Sequence, residues 1–252
     1  SIPKFSYASS FGVSSIFPWQ RKGVAGFLKR LDLIGVREQR GKQIVKELTG
    51  KDAKVVCDPT FLLTTDEWIE ALMENEKERG LERNGEPYKI DTPYILAYVL
   101  GERKDVREEI KKLREQSGLK IVNLPHVDNY HAMDDNLGDI NLYDVDPFDF
   151  IRLIRDAEYV VTDSFHGSVF SIQMHKKFLT FYRKPSSEKG NTNSRIDSLF
   201  NILGLSERLY KGDVFNQIKK NIDYGYVDRQ VEELRIDSLA FFKQALGLGR
   251  II

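Results

Sequence analysis

The sequence predicts an α/β fold built on parallel sheets, and two observations carry that expectation. Strand-like apolar runs alternate with segments of helical period from Lys4 to Cys57 and again from Tyr94 to Leu203, which is the order of a doubly wound sheet. The stretch Tyr159–His175, Y-V-V-T-D-S-F-H-G-S-V-F-S-I-Q-M-H, shows the same transition within a few residues. It opens with Tyr159, Val160, Val161 and Thr162, good strand formers in a run apolar on both faces, as a buried parallel strand is. It closes with Val169, Phe170, Ile172 and Met174 on an apolar helix side.

Taken in order, Lys4–Ser9 reads as a strand that leads into a small-residue loop, Ser9-Ser10-Phe11-Gly12. Val24, Phe27, Leu28 and Leu31 recur at helical spacing, and Leu33–Val36 is a short buried strand. Arg37 and Glu38 open a helix that carries Ile44, Val45 and Leu48 and stops near Gly50. Lys54–Cys57 is the next strand, broken by Asp58-Pro59. Asp66–Gly85, dense in Glu, Lys and Arg, reads as a charged helix and turn on the surface, with a natural domain junction near Pro87–Pro93. Tyr94–Leu100 begins a second α/β unit, with Val106, Ile110 and Leu113 marking its helix and Lys120–Leu124 its next strand. Pro125–Tyr143 has no period and predicts a long loop at a carboxyl end of the sheet, a place that often carries function. Asp146-Pro147 starts a helix, Asp at the N-cap and Pro in the first turn, with Phe148, Ile151 and Ile154 facing inward. After Tyr159–Thr162 come a strand at Phe178–Tyr182, a helix at Ser194–Leu203 closed by Gly204, and a longer helix at Val227–Leu246. That last helix has Val231, Leu234, Leu239 and Phe242 on its apolar side.

Composition narrows the partners. Lys and Arg total 38, as do Asp and Glu, so the formal charge of +0 gives no general attraction to nucleic acid or to an anionic membrane. No run approaches the ~18 apolar residues of a spanning helix, which leaves peripheral membrane association open. Cys57 is the single cysteine, so no intramolecular disulfide forms, in keeping with a reducing, cytoplasmic setting. The chain begins with Ser rather than Met, the start expected of a fragment or a processed form.

The chemistry centres on Asp163-Ser164-Phe165-His166-Gly167, between strand and helix. A helix N-terminus at the carboxyl end of a parallel strand presents N–H groups and the positive end of the dipole, which favours an anion. Asp163 or Ser164 can cap the helix, Gly167 lets backbone or ligand approach closely, and His166 can donate a proton or a hydrogen bond. The same pattern also describes an ordinary strand-to-helix turn whose histidine caps a neighbour. His126, Asp128, His131, Asp134 and Asp135 share one loop, but their spacing matches no ordinary zinc pattern, and no metal or cofactor is expected. His175 reads as a cationic residue at a helix C-terminus. Asp58 reads as an Asx turn, with a general base as the minor alternative.

V-V-T-D-S-F-H-G-S-V-F-S-I, followed by K-K-F-L-T-F and N-S-R-I-D-S-L-F-N-I-L-G-L, resembles the signature of the polysaccharide pyruvyl transferase family. I-G-V-R-E at Ile34–Glu38 and V-V-C-D-P-T-F-L-L at Val55–Leu63 match in character and order, so the resemblance runs from about Phe5 to Leu205. It implies two Rossmann-like domains resembling the GT-B glycosyltransferase architecture, here 1–88 and 89–252, the latter with a last helix crossing back. It also implies a further stretch before this point, so the first domain is expected to be incomplete in this chain. The implied reaction moves the enolpyruvyl unit of phosphoenolpyruvate onto two hydroxyls of a sugar or polysaccharide acceptor as a ketal and releases phosphate. His166 would then be the catalytic acid or a phosphate contact, with Ser164, Phe165 and Gly167 beside it. Arg37 occupies the place of the family's donor-binding arginine, and an arginine fork suits both phosphate and carboxylate. The alternative for Arg37 is a surface ion pair with Glu38 or Glu47. Arg195 and Arg183 would add positive charge to the donor cleft expected between Arg37 and Ser164–Gly167. Two other functions fit the same architecture: a GT-B-type glycosyltransferase using a nucleotide sugar, and a non-catalytic glycan- or anion-binding relative.

Overall fold

A computed structural model describes residues 2–82, 90–125, 130–185 and 193–248. The chain divides into two compact units. The first comprises Ser1–Leu62, Lys184–Ser206 and Asp223–Ile252; the second comprises Leu63–Arg183 and Glu207–Ile222. The division therefore falls at Leu62/Leu63 rather than at the expected 88/89, and the chain returns to the first unit twice.

The first unit holds a parallel sheet of β1 (Phe5–Ser9), β2 (Leu33–Val36) and β3 (Lys54–Val55), in that order. Helices α1 (Pro18–Lys29) and α2 (Gln39–Thr49) make the crossovers. Ile34, Val36, Val45 and Ala53 form the core there, with Phe11, Leu28 and Leu31 packed against it. A register shift between Ser6 and Ser9, with Ala8 at φ 52°, bulges β1 just before its loop. Two later helices belong to this unit, α7 (Ser194–Leu203) and α9 (Tyr224–Ala245). Gly204, at φ 68°, closes α7 in the left-handed conformation that a glycine adopts without penalty. Helix α9 holds its place by polar as well as apolar contacts. Arg235 Nε donates to the Phe61 carbonyl at 2.6 Å, and the Cys57 N–H donates to Ser238 Oγ at 2.8 Å. The expected apolar side is thus only partly right. Val231 is buried, but Leu234, Leu239 and Phe242 are half-buried, and Arg235, Ser238 and Phe241 take the inner positions.

The buried thiol of Cys57 lies 3.5 Å from the Tyr7 hydroxyl, and burial pushes both groups above their ordinary titration ranges. The thiolate is the reactive form. The expected result is that labelling by an aromatic disulfide at pH 8 is at least about tenfold slower for the folded protein than in denaturant, read from the absorbance of the released thiolate. Equal rates would show that the thiol is not enclosed.

The second unit holds five parallel strands in the order β6-β5-β4-β7-β8. These are β4 (Tyr94–Tyr98), β5 (Lys120–Asn123), β6 (Ile140–Asn141), β7 (Tyr159–Thr162) and β8 (Lys177–Thr180). Interior strand β7 pairs in register with β4 (Ile95 with Tyr159) and with β8 (Tyr159 with Lys177). Every residue of β7 is buried, as its apolar run requires. Four of its helices are α4 (Lys104–Ser117), α5 (Pro147–Asp156), α6 (Phe165–Gln173) and the short α8 (Val214–Lys219). On one face, Val106, Ile110 and Leu113 of α4 and Val214 and Ile218 of α8 pack against Ile95, Ile121, Val161 and Leu179. Asp146 caps α5, accepting from the Asp149 N–H at 2.8 Å, and Ile151 and Ile154 are buried as expected while Phe148 is half-buried.

Two segments differ from expectation. The span 125–143 is not all loop, because Ile140–Asn141 adds the edge strand β6 beside β5. The charged segment after Leu63 is the helix α3 (Thr65–Glu82), and it is built into the second unit. Its Leu72 is fully buried, Trp68 meets Phe170 edge-on at 5.2 Å, and Arg79 pairs with Asp149 at 2.8 Å. Buried Arg152 of α5 reaches back to Glu76 at 2.9 Å and Asn75 at 2.6 Å. The charges that marked α3 as surface are thus its attachment. Among the described residues, no helix is long and apolar enough to cross a membrane.

Candidate active site

In the second unit the site is organised by the step from β7 to α6. Thr162, last in the strand, donates its hydroxyl to the Tyr98 carbonyl at 2.6 Å and accepts from the Ser164 N–H at 3.0 Å. Ser164 is the N-cap, its Oγ accepting from the Gly167 N–H at 3.3 Å. The strand before it requires Gly167: a Cβ there would stand 2.4 Å from Thr162 Oγ1. The close approach expected at this glycine is thus made by the side chain of Thr162. Ser164 and the Gly167 N–H, both expected to hold that anion, are bonded to each other.

His166 has a different environment. From Val161 to Met174 every residue is buried except His166, which stands exposed in the first turn of α6. Its ring lies edge-on to that of Phe165, with centroids 5.6 Å apart, while Phe165 itself is buried and serves as packing.

Asp163 does not cap the helix. It is buried and accepts from the N–H groups of Leu100 at 2.8 Å and Gly101 at 2.7 Å, stapling the end of β4 to the end of β7. Burial pushes its carboxyl above the ordinary range, against the opposing pull of those N–H groups and of Arg183, whose Nε is 3.8 Å away. Arg183 lies over Gly101, where a Cβ would come within 2.8 Å of Arg183 Cγ.

The loop expected to gather His and Asp contributes structure. His126 and Asp128 lie outside the described residues. Asp134 is buried and receives Arg107 Nε at 2.7 Å, and Asp135 accepts from the Tyr130 hydroxyl. Among the described residues, no three His, Cys, Asp or Glu side chains gather as a metal ion would need. His175 follows α6 in the left-handed conformation, φ 50°.

The first unit carries Arg37 and Arg195. Arg37 follows β2, and its N–H donates to the Ser9 carbonyl at 3.1 Å. Its guanidinium pairs with Asp58, not with Glu38 or Glu47; Glu47 takes Arg40 at 2.7 Å. Glu38 is fully buried, and its Oε1 accepts from the Phe11 N–H at 2.8 Å and from Ser10 Oγ at 3.1 Å, which fixes the loop after β1. Arg195 lies half-buried in the first turn of α7 and so belongs with Arg37, not with the S-F-H-G unit as expected. The Gln39 N–H donates to Ser198 Oγ at 3.2 Å, which brings the start of α2 to α7 and the two arginine-bearing segments together.

Residues 2–185 match the polysaccharide pyruvyl transferase family, close to three quarters of the chain. The chain belongs to that family. Within a polysaccharide pyruvyl transferase family member, the matched span contains Arg37, Asp58, Ser164–Gly167 and Arg183 and ends before Arg195. No curated protein matches the chain. Among solved structures it is similar to MnaA of S. aureus in complex with UDP, at 16% identity and a TM-score of 0.51, over 98% of this chain and 69% of that one. That likeness shows the fold, two Rossmann-like α/β units of the GT-B kind. It is also similar to the UDP-GlcNAc 2-epimerase of Neisseria meningitidis bound to UDP-GlcNAc, at 11% identity and a TM-score of 0.47, over 84% of this chain. The chain spans 62% of the length of that epimerase.

Sequence reasoning read Glu38 of the first unit only as a helix opener and Asp163 of the second only as a possible cap, and missed the backbone N–H groups that each holds. The signal for each was faint: an acidic residue directly after a strand in an α/β unit, where the carboxyl ends of strands collect functional and site-shaping groups.

Proposed function

We propose that this protein transfers the enolpyruvyl unit of phosphoenolpyruvate to a pair of hydroxyls on a sugar or polysaccharide acceptor. The observation that carries the proposal is the exposed His166 in the first turn of an otherwise buried helix, in a chain of the pyruvyl transferase family. In the balanced reaction both acceptor oxygens bond to C2 of the donor, and the C2–O bond to phosphate breaks. One hydroxyl proton ends on the methylene carbon, making it methyl, and the other leaves with the phosphate. Protonating the enol carbon builds positive charge at C2, so an acid there and anionic partners nearby lower the barrier.

The reading assigns His166 to the enol carbon or the phosphate, and Arg37 to the donor's anionic groups. Arg195 and Arg183 supply further charge for a donor with both a phosphate and a carboxylate. Ser164, Phe165 and Gly167 serve by fixing the helix start under His166. A cytoplasmic location and a donor that is a substrate rather than a resident cofactor are part of the same proposal.

The test compares ligands on the full-length protein. Phosphoenolpyruvate should raise the melting temperature, and phosphate should be released when candidate glycans are added. A shift with nucleotide sugars and none with phosphoenolpyruvate would favour the glycosyltransferase alternative. Binding without phosphate release across a broad acceptor panel would favour a non-catalytic relative.

A further inference from the structure

We infer that Asp58 is a positioning residue for Arg37, setting the plane in which that guanidinium meets an anionic ligand; the inference rests on the donor-binding reading of Arg37. Asp58 is placed for that task and poorly placed for any direct one. Its side chain is 2% exposed against 16% for Arg37, so the arginine stands between the carboxylate and solvent. The two carboxylate oxygens have separate duties. Oδ2 accepts from Arg37 Nη1, while Oδ1 accepts from the Thr60 N–H at 3.1 Å and from Thr60 Oγ1 at 2.8 Å. The acidic side chain thus cannot rotate toward the arginine's far side without breaking its own turn.

The turn is itself anchored. The Phe61 N–H donates to the Asp58 carbonyl at 2.9 Å, opening the short helical turn Pro59–Leu62. Phe61 is buried, and its carbonyl receives Arg235 of α9. On the other side, the Val56 N–H donates to the Val36 carbonyl at 2.9 Å. Arg37 and Asp58 therefore leave the carboxyl ends of neighbouring parallel strands whose backbones are fixed to each other.

An arginine on a flexible stem loses rotamer freedom when it grips a ligand. A carboxylate that holds one edge of the guanidinium removes that freedom beforehand, and preorganisation of this kind appears as affinity. The guanidinium is a planar fork, and a charge-assisted contact at Nη1 fixes the plane of that fork. Asp58 therefore orients the group to which the donor-binding reading assigns the ligand contact. This displaces the general-base alternative for Asp58, since a buried carboxylate held by an arginine and a threonine is far from a proton acceptor for a sugar hydroxyl.

Asp58→Asn is the informative substitution. The amide oxygen can still serve Thr60, but the amide nitrogen would face Arg37 donor to donor. Calorimetric titration with phosphoenolpyruvate on the full-length protein should show Kd raised about tenfold by Asp58→Asn and about tenfold to a hundredfold by Arg37→Ala. The double variant should bind no more weakly than Arg37→Ala alone, because Asp58 acts only through the arginine. Additive losses, or an unchanged Kd in Asp58→Asn, overturn the inference. If Asp58→Asn does not fold, Thr60→Val loosens the carboxylate while leaving the ion pair, and a Kd raised about twofold to threefold is expected; an unchanged Kd overturns the inference in that case too. An Arg37→Ala protein that binds the donor as tightly as the wild type would overturn the donor reading itself, and the positioning role with it.

Discussion

Gly167→Ala should destabilise the second unit by about 1–3 kcal/mol, the usual cost of overpacking a filled site. The new Cβ would meet Thr162 Oγ1 at 2.4 Å, and Thr162 Cβ and Cγ2 at 3.1 Å. Thr162 is poorly able to yield. It is fully buried, its hydroxyl is tied to the Tyr98 carbonyl on one side and the Ser164 N–H on the other, and its backbone is paired with a strand on each side. Moving α6 instead would stretch the 3.3 Å cap from the Gly167 N–H to Ser164 Oγ. Urea unfolding should show a lower midpoint with the slope unchanged. Thr162→Ala in the same chain should recover part of the loss, so the double variant is less destabilised than the sum of the singles. A Gly167→Ala protein as stable as the wild type would mean that the glycine is kept for ligand approach after all.

That prediction also shows what the sequence could and could not disclose. The glycine was conspicuous, but its reason lies in a threonine on the preceding strand, and the distance between them exists only once strand and helix are packed. Local patterns were readable wherever burial was uniform. The apolar run of β7, the 3.6-residue period of α4 and the Asp-Pro start of α5 each reflect one face against one core. The division into units was not readable from local patterns. The resemblance implied that the last helix, α9, crosses back, but α7 rejoins the first unit as well, and both do so through contacts distant in sequence: Gln39 with Ser198, Cys57 with Ser238, Phe61 with Arg235. None leaves a local signature. For the same reason α3 read as a surface helix, since its arginine and glutamate side chains find partners on α5 that no period reveals. The two-residue strand β6 is too short to carry any alternation.

The candidate site divides along the same line. That Arg37 follows a strand and that Ser164 and His166 open a helix was legible, because motif and strand ends coincide. The Asx turn of Asp58 was legible too, and the Thr60 N–H closes it at 3.1 Å, but its pairing with Arg37 was not. Nor were the contacts of Glu38 and Asp163, which hold the loop after β1 and the turn after β4. Buried carboxylates of this kind are informative only when the N–H groups and guanidinium they serve can be seen.

His166→Ala should lower kcat by about a hundredfold to ten-thousandfold, the range that a positioned general acid contributes. The affinity for phosphoenolpyruvate should fall less than about tenfold, because the proton moves only on the way to the transition state while binding uses the arginines as well. The structural cost should be small, since His166 is exposed and the cap beneath it runs from Ser164 to Gly167 without it. An unchanged urea midpoint therefore allows the rate loss to be read as chemistry. His166→Gln separates the two roles left to the residue. Glutamine can still donate a hydrogen bond to a phosphate oxygen but cannot supply a proton to carbon. If the histidine is the acid, Gln should be as slow as Ala. If it only holds the phosphate, Gln should restore most of the rate, and in the Ala variant kcat/KM and donor affinity should fall together. Unchanged phosphate release in His166→Ala would remove the histidine from the mechanism and return the exposed position to an ordinary helix start.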